Sequence, residues 1–541
     1  MSRLYSYPRT RKTEYPGPTA IHSQTPAPLF GPSALFLKTM PKLTRPNLLI
    51  LMLAMAMSTT PVTAGHQPKP LAAFVLFGNS DSGETVGMAR VILDGADTPC
   101  PSLISDDGKG RAVPMTPRSN PDPKSFPIQV CEAIYPRSGE VRISGFSGKL
   151  PPIPAEVHQV TVFGDTGCKP SDQNGCHQDS AHHWPLHKMA DGAAATDPAP
   201  DLILHMGDYN YRGTPGHIHV NGKKVRVYDA GDNTSSPSCK LAGPYYGQNS
   251  KGSDTPDNWS NWNKDFFEPA AKLLAAAPWV FARGNHELCS RAGPGWFYLL
   301  DPGSNLLGGE QRQLSCPPAE SHEALIFRKP YRIGLGGLAI VVLDSANACD
   351  QGDLHQHHFD AQFSEIQKLV GATPEKDVLW LQTHRPLWGV KKPEHESAKS
   401  ANREPKEYAF INHTLQTAYA RYPIPQSLHL VLSGHMHRFQ SISFPPEKQA
   451  RRPSQLIVGN GGVDLARNFP KHLFHTEIAG MDAVGFGISK FGYMNIRLKG
   501  EGSWTGKLLD YNGHILATCD SDSWSTTGVC SLSGVHSNVE E

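Results

Sequence analysis

Polar side chains that can bind metal ions follow a series of apolar runs between residues 163 and 437. The runs lead into five short motifs, which read Phe163-Gly-Asp-Thr-Gly, Met206-Gly-Asp-Tyr-Asn-Tyr, Arg283-Gly-Asn-His-Glu, Gln382-Thr-His and Ser433-Gly-His-Met-His. Their candidate metal ligands are Asp165, Asp208, Tyr211, Asn285, His384, His435 and His437. A lone Gly-Asp pair or a lone histidine is common in turns. An ordered series of complementary ligands instead indicates a site for two neighbouring metal ions.

The spacing of the apolar runs predicts an α/β fold for residues 156–541. Runs typical of buried strands lie at 160–163, 202–205, 279–282, 339–343, 378–381, 428–432 and 455–458. Stretches with apolar residues at three- and four-residue spacing lie between some of them, at 261–277 and 363–370. This alternation favours a layered β-sandwich flanked by helices. Such sheets place their ligands at the carboxyl ends of strands, where the motifs lie.

The region ahead of this domain is predicted to be a small all-β domain. Between residues 70 and 150, short apolar or alternating runs are separated by Gly, Asp, Pro and Ser clusters, and none of the candidate ligands lies there. The proline-rich segment at 149–154 follows as a stiff linker. Two long polar segments within residues 156–541, at 212–258 and 389–407, are interpreted as surface insertions near the site.

The first residues of the chain predict export. Lys42 and Arg45 precede an apolar stretch at 48–57, and Val62-Thr-Ala64 forms a small-residue cleavage motif. This is the layout of a signal peptide at 40–64, cleaved near Ala64. The alternative is a membrane anchor, but the apolar stretch falls short of the roughly 20 residues that a spanning helix needs. Residues 1–39 are then a non-structural leader or a start assigned too early. The expected location is secreted or periplasmic, with no stable membrane anchor.

The cysteines agree with an oxidising compartment. All ten follow Ala64, and no two have Cys-x-x-Cys spacing, so disulfides are favoured over a zinc or redox motif. Cys168–Cys176 and Cys519–Cys530 are the simplest pairs because each would close a short loop. Buried free thiols are the alternative.

The overall charge excludes a strongly electrostatic partner. The 51 Lys and Arg residues almost balance the 50 Asp and Glu residues. A nucleic acid or an anionic membrane surface is therefore not expected as a binding partner.

The motifs resemble those of the calcineurin-like metallophosphoesterase superfamily, and most closely those of its purple acid phosphatase branch. Many members of the superfamily carry a histidine two residues after the first aspartate, where this chain has Gly167. The purple acid phosphatase branch instead has a tyrosine three residues after the second aspartate, and Tyr211 occupies that position. The resemblance covers roughly residues 156–500 and implies a phosphoesterase fold and activity.

The resemblance also implies how two metals would be held. The first metal would be bound by Asp165, Asp208, Tyr211 and His437. The second would be bound by Asp208, Asn285, His384 and His435, with Asp208 bridging. Phenolate and carboxylate groups suit Fe(III), whereas an amide oxygen with two imidazoles suits a divalent ion such as Zn, Mn or Fe(II).

The implied reaction is hydrolysis of a small phosphorylated substrate, a phosphate monoester. A metal-bound hydroxide would attack phosphorus, and His286 would act as general acid toward the leaving group. Three alternatives stay open. Tyr211 could pack without binding metal, His286 could instead hold the hydroxide, and the same site could serve a phosphodiesterase, phospholipase or nucleotide-cleaving enzyme. A secreted binding module is disfavoured because every ligand is present.

Neighbouring residues have less specific expectations. Glu287 is expected to orient a neighbour. Asn210 and Arg385 could contact the substrate phosphate or have a packing role. The glycine-rich turn at 459–462 could direct backbone N–H groups to the site or simply reverse the chain.

Overall fold

The computed structural model describes residues 70–533 apart from fourteen gaps. The gaps are residues 107–110, 137–138, 171–174, 179–182, 213–217, 221–222, 226–256, 290, 318–325, 351–354, 375–376, 392–408, 446–451 and 467–473. The predicted leader and signal peptide lie outside the described residues, as do most of the two predicted insertions.

The strands account for most of the regular structure. In chain order they are β1 Pro70–Asn79, β2 Thr85–Asp94, β3 Ser102–Ser105, β4 Arg111–Pro114, β5 Thr116–Pro117, β6 Ile128–Ile134, β7 Val141–Ile143, β8 Gln159–Phe163, β9 Leu202–His205, β10 Ile218–Val220, β11 Lys223–Val225, β12 Trp279–Phe281, β13 Tyr331–Leu335, β14 Leu338–Leu343, β15 Val378–Thr383, β16 Gly389–Lys391, β17 Ala409–Ile411, β18 Leu430–Ser433, β19 Phe439–Ser443, β20 Ser454–Val458, β21 Phe474–Ile478, β22 Met481–Ile488, β23 Tyr493–Gly500, β24 Ser503–Leu509, β25 Ile515–Asp520 and β26 Cys530–Leu532.

The helices are fewer and shorter. They are α1 Leu186–Ala194, α2 Trp259–Trp262, α3 Ala271–Ala276, α4 Gly293–Leu299, α5 Gln356–Gly371 and α6 His413–Arg421, with a π-helical turn at Asn263–Phe267 and 3-10 turns at Asn285–Glu287 and Gly309–Gln311. The stretch with helical spacing at 261–277 is therefore divided into α2, the π-helical turn and α3. Pro269 has no N–H to donate to the preceding turn, which explains the break before α3.

Two large sheets face each other across the main core. In the described residues, one sheet runs β26-β25-β24-β23-β8-β9-β12-β1-β2-β6-β5 and the other β13-β14-β15-β18-β20-β19-β22-β21. Val162 and Leu204 of the larger sheet belong to one buried cluster with Ile340, Trp380 and Leu432 of the smaller. The pairs β8–β9, β9–β12, β14–β15 and β15–β18 are parallel. Their carboxyl ends therefore lie at one edge of the sandwich.

Helices cover the outer faces of both sheets. Met189 of α1, Leu273 of α3 and Trp296 of α4 pack in a cluster with Ile203 of the larger sheet. On the other side, α5 and α6 supply Phe363 and Leu415, which share a cluster with the smaller sheet's strands β14 and β18. The predicted α/β fold, a layered β-sandwich flanked by helices, is confirmed.

The region ahead of the catalytic fold is all-β, as the sequence predicted. A three-stranded sheet, β4-β3-β7, packs against β1, β2 and β6 around Val75, Val91, Leu103 and Val141. One layer of this small arrangement is shared, because β1 pairs in parallel with β12 at Leu76 and Trp279. The region is therefore continuous with the larger sheet, and its status as a separate domain stays a prediction.

Two buried arginines hold the carboxyl end of α4. Arg118 donates from Nε to the carbonyl of Tyr298 at 3.0 Å, and Arg90 donates from Nη1 to the carbonyl of Leu299 at 3.0 Å. Both guanidinium groups pair with Glu132, whose side chain is only 2% exposed. Cations at this end complement the helix dipole and satisfy carbonyls that have no partner within the helix.

The amino end of α4 is held by a buried carboxyl group, that of Asp257. Asp257 Oδ2 accepts the N–H of Gly295 at 2.9 Å, and its Oδ1 accepts the indole N–H of Trp262 at 2.7 Å. Because α4 follows the turn at Asn285–Glu287, these contacts fix a helix that directly adjoins one of the ligand motifs.

Candidate metal centre

All seven predicted ligands meet at the carboxyl edge of the two sheets. Asp165, Asp208 and Asn285 follow β8, β9 and β12, whereas His384 and His435 follow β15 and β18. Tyr211 and His437 lie a few residues beyond Asp208 and His435. Six of the seven are at most about a tenth exposed, and the His437 side chain, at 27%, marks the open side of the site.

The first group contains two carboxylates, an imidazole and a phenol. Donor atoms of Asp165, Asp208 and His437 all lie within 4.8 Å of one another. The phenol oxygen of Tyr211 is 3.0 Å from Asp165 Oδ1, 2.9 Å from Asp208 Oδ2 and 3.1 Å from His437 Nε2. Tyr211 therefore directs its oxygen toward the other donor atoms of the group. A tyrosine that only packed against its neighbours would not need this orientation.

The second group shares Asp208 with the first. Donor atoms of Asp208, His384 and His435 lie within 4.8 Å of one another. Asn285 Oδ1 completes the group, 2.9 Å from His384 Nε2 and 2.9 Å from His435 Nδ1. Two ligand groups joined by one carboxylate are the arrangement that a pair of adjacent metal ions needs.

The charges of the site suit cations. Burial and the neighbouring Asp208 carboxylate raise the pKa of Asp165 well above its usual value. Burial, Asp165 and Asp208 likewise raise the pKa of Tyr211. Anionic forms of these groups are therefore costly without a positive partner, and two metal ions would supply it. The donor set thus fits a dinuclear metal site.

Four ligands adopt backbone conformations that are rare for residues with side chains. The φ angles are 56° at Asp165, 63° at Asp208, 73° at His435 and 48° at His437. Left-handed conformations of this kind concentrate at functional sites, where the surrounding structure enforces them. The ligand loops are therefore held in place by their neighbours rather than by their own preference.

Glu287 joins two of the ligand loops. Its carboxylate accepts the N–H groups of Asp208 at 2.9 Å, Tyr209 at 2.8 Å, Asn210 at 3.3 Å and Gly284 at 3.0 Å. The expectation that Glu287 orients its neighbours is confirmed. A carboxylate that accepts four N–H groups ties the loop after β9 to the loop after β12.

His384 is oriented by a hydrogen bond at the ring nitrogen that points away from the ligand group. Its Nδ1 lies 2.7 Å from the carbonyl oxygen of Met206, which can only accept, so Nδ1 carries the proton. The lone pair of Nε2 then faces Asn285 and Asp208. This is the tautomer that a metal ligand needs.

His435 has a polar environment that the sequence did not predict. Its Nδ1 faces the ligand group, whereas Nε2 lies 3.4 Å from Asp350 Oδ2 and 2.9 Å from Arg385 Nη1. Arg385 is fully buried and donates to Asp350 at 2.8 Å. Arg385 is therefore part of the support for His435. The sequence around Asp350 gives no sign of this contact.

Gly167 makes room for Tyr211. A Cβ at position 167 would lie 2.5 Å from the carbonyl oxygen of Tyr209 and 2.8 Å from Cδ2 of Tyr211. Neither distance is sterically possible without a shift of the backbone. The turn at 459–462 is close to this loop as well, because Gly461 donates its N–H to Gly164 at 3.0 Å and Val463 donates to Asp165 at 3.0 Å. These N–H groups therefore support the Asp165 loop.

His286 lies beside the ligand groups and belongs to neither. Its ring packs on that of Tyr211 with a centroid distance of 4.0 Å, and its backbone N–H donates to Asp208 Oδ1 at 2.9 Å. Burial and the nearby Arg291 lower the pKa of His286 well below its usual value. Both effects favour the neutral form of the imidazole.

This fold and this pair of ligand groups are suited to a dinuclear metal site. The model of the calcineurin-like phosphoesterase family matches residues 158–439, slightly more than half of the chain, and the chain belongs to this family. The protein is therefore a metal-dependent phosphoester hydrolase, and the resemblance of its motifs to this superfamily is confirmed.

Solved structures similar to this chain include a plant enzyme. A purple acid phosphatase isolated from yellow lupin (Lupinus luteus) seeds matches with 14% sequence identity and a TM-score of 0.46, over 82% of this chain and 73% of that chain. Comparison with curated protein sequences gives no significant match.

Proposed function

We propose that the protein is an exported phosphomonoesterase of the purple acid phosphatase type. One observation carries the proposal: the phenol oxygen of Tyr211 lies within 3.1 Å of donor atoms of Asp165, Asp208 and His437. Phenolate and carboxylate donors favour a trivalent ion in this group, Fe(III), and the amide and imidazole donors of the second group favour a divalent ion, Zn, Mn or Fe(II).

The two metal ions would supply a nucleophile from water at moderate pH and would neutralise charge on the phosphoryl oxygens. Beside them, His286 would donate a proton to the leaving oxygen. Its neutral state in the free site does not oppose this role, because a phosphate dianion within a few ångströms raises the pKa of an imidazole. Arg291, whose charge acts on His286, would also attract such an anion.

Disulfides support the export part of the proposal. Four cystine bridges are present in the described residues, at Cys100–Cys131, Cys168–Cys176, Cys289–Cys316 and Cys519–Cys530. The second and fourth are the pairs that the sequence predicted. Bridges of this number are typical of oxidising compartments. None of the helices in the described part of the chain is long and apolar enough to cross a membrane.

Hydrolysis assays on the purified, metal-loaded protein test the proposed activity. We expect faster turnover of an aryl phosphate than of the corresponding bis-aryl phosphate. The reverse preference would favour the phosphodiesterase alternative. A protein that retains its metals but hydrolyses neither substrate between about pH 4 and pH 9 would contradict an enzymatic role.

Tyr211→Phe tests the iron ligand. The iron-loaded wild-type protein is expected to show a visible phenolate-to-iron absorption band, and the variant is expected to lose it because the phenol oxygen is removed. Absorption spectra normalised to the measured iron content check this. A matched control is Tyr493→Phe, whose ring packs on Phe163 at 5.1 Å in the core. An unchanged band in the Tyr211 variant would show that Tyr211 does not bind the metal.

His286→Ala tests the proton donor. We expect the metal content to be retained, and the rate to fall by about 10²–10⁴-fold for alkyl phosphates, whose leaving groups need a proton. Aryl phosphates with acidic leaving groups should lose much less, since their oxygen departs as a stable anion. Steady-state rates across a series of leaving groups measure the difference. Equal losses across the series would assign His286 a role other than general acid.

A further inference from the structure

Arg212, the residue after Tyr211, makes a two-point ion pair with Asp265. Arg212 Nε lies 2.8 Å from Asp265 Oδ2, and Nη2 lies 2.8 Å from Oδ1. The Asp265 side chain is fully buried, whereas that of Arg212 is 23% exposed. Because the guanidinium fork and the carboxylate are both planar, this contact fixes a direction as well as a distance.

Asp265 lies in the middle of the π-helical turn at Asn263–Phe267. Its neighbours Phe266 and Phe267 belong to the aromatic cluster behind the site, so the carboxylate is held by a rigid part of the core. π-Helical turns are rare and occur frequently at functional sites. A buried ion pair adds little net stability, since the loss of hydration offsets the attraction. Its main contribution is therefore the geometry that it imposes on Arg212.

The residue on the other side of Tyr211 is fixed as well. Asn210 Oδ1 accepts the N–H of Arg212 at 3.0 Å, and the N–H of Asn210 donates to Glu287 at 3.3 Å. Tyr211 is thus flanked by two anchored residues, and its ring lies between Gly167 and His286. The anchor at Arg212 comes from Asp265, which lies outside the ligand loops.

We propose that Asp265 is a positioning residue for the Tyr211 phenol. Acting through Arg212, it sets the distance and direction of the phenol oxygen relative to Asp165, Asp208 and His437. The hydrogen bonds of the Asp265 carboxylate are with Arg212, so any effect on Tyr211 passes through that residue. The inference rests on the proposed role of Tyr211 as an iron ligand, and it adds the ion pair that holds this residue in position.

The test is Asp265→Asn, studied as the full-length mature protein loaded with iron and a divalent metal. The amide keeps the size of the carboxylate, but it has one acceptor oxygen and can no longer accept hydrogen bonds from both Nε and Nη2 of Arg212 through separate oxygens. We expect the phenolate-to-iron band to move and to weaken per bound iron. We also expect kcat to fall by on the order of tenfold or more, as for a misplaced active-site group, with little change in KM. Arg212→Lys keeps the charge but loses the fork, and should change the band in the same direction.

Lys272→Gln is the matched control, because it breaks an exposed ion pair with Asp191 and should leave the band and kcat unchanged. Circular dichroism verifies that each variant folds. If Asp265→Asn does not fold, the absorption band and kcat of Arg212→Lys test the inference. Variants that lose thermal stability but keep the wild-type band and kcat would overturn the inference. An iron-loaded wild-type protein without a band would instead overturn the proposed role of Tyr211, which separates the two failures.

Discussion

Replacing Asp208 by Asn is expected to release both metal ions and to lower phosphoester hydrolysis by on the order of a thousandfold or more. Asp208 is the residue that belongs to both ligand groups in the described part of the chain. Its Oδ2 is 2.9 Å from the Tyr211 oxygen and 3.3 Å from His384 Nε2. An amide carries no charge and cannot bridge two cations as a carboxylate does.

Elemental analysis after dialysis, together with rates on an aryl phosphate, measures both effects. Asp510→Asn is a suitable control, because Asp510 accepts backbone N–H groups of Asn512 and His514 in the turn between β24 and β25. It should keep two metals per chain and full activity. An Asp208 variant that retained two metals per chain would show that this carboxylate does not bridge them.

Glu132→Gln is expected to lower the free energy of unfolding by about 3–5 kcal/mol, because it removes the carboxylate that two buried guanidinium groups share. The side chains of Arg90 and Arg118 are both 0% exposed. Burial lowers the pKa of Arg90 to about 9, so this guanidinium remains charged at neutral pH. The variant should also loosen α4, whose last carbonyls these arginines bind, and with it the adjoining ligand turn.

The loss should depend on pH in a defined direction. Burial alone raises the pKa of Glu132, but Arg118 and Arg90 reverse the effect, and the net pKa lies below the usual 4.5. A lowered pKa in the folded state stabilises the protein above pH 4.5, and this stabilisation is lost as the pH falls below that value. The difference in the free energy of unfolding between the wild type and Glu132→Gln should therefore become smaller in acid.

Urea unfolding at several pH values measures this difference. Glu140→Gln removes the same charge from an exposed cluster, where the Glu140 side chain is 41% exposed next to Lys149, and should cost less than about 1 kcal/mol. Equal unfolding midpoints for the Glu132 variant and the wild type would contradict the assigned role of the buried network.

The convergence of the candidate ligands could be predicted from the sequence because each one is tied to a local pattern. Asp165 and Asp208 follow the ends of β8 and β9 by two and three residues, and His384 follows β15 directly. An apolar run that ends in such a residue is visible within a short window. Parallel pairing then brings the strand ends together, so the site follows from local patterns plus one rule of sheet architecture.

The supports of the site could not be predicted, because they join residues that are far apart in the chain. Arg212 and Asp265 are 53 positions apart, and Arg90 bonds to a carbonyl 209 positions away. In the sequence, Asp265 reads as one polar residue of a helix, and nothing near it indicates a partner. The same holds for the pairing of β1 with β12, which merges the all-β region into the larger sheet. Only tertiary packing selects these contacts.

Gly167 also limits how this protein could change its metal chemistry. A histidine at that position and a tyrosine at position 211 compete for one volume, since even a Cβ would lie 2.8 Å from the tyrosine ring. A side chain at position 167 would also meet the backbone, because its Cβ would lie 2.5 Å from the carbonyl oxygen of Tyr209. Exchange of one ligand set for the other therefore requires substitutions at both positions together with a shift of the Tyr209 backbone. A variant that gained a histidine at position 167 and kept Tyr211 would have a crowded site. A variant that only lost Tyr211 would lack a donor.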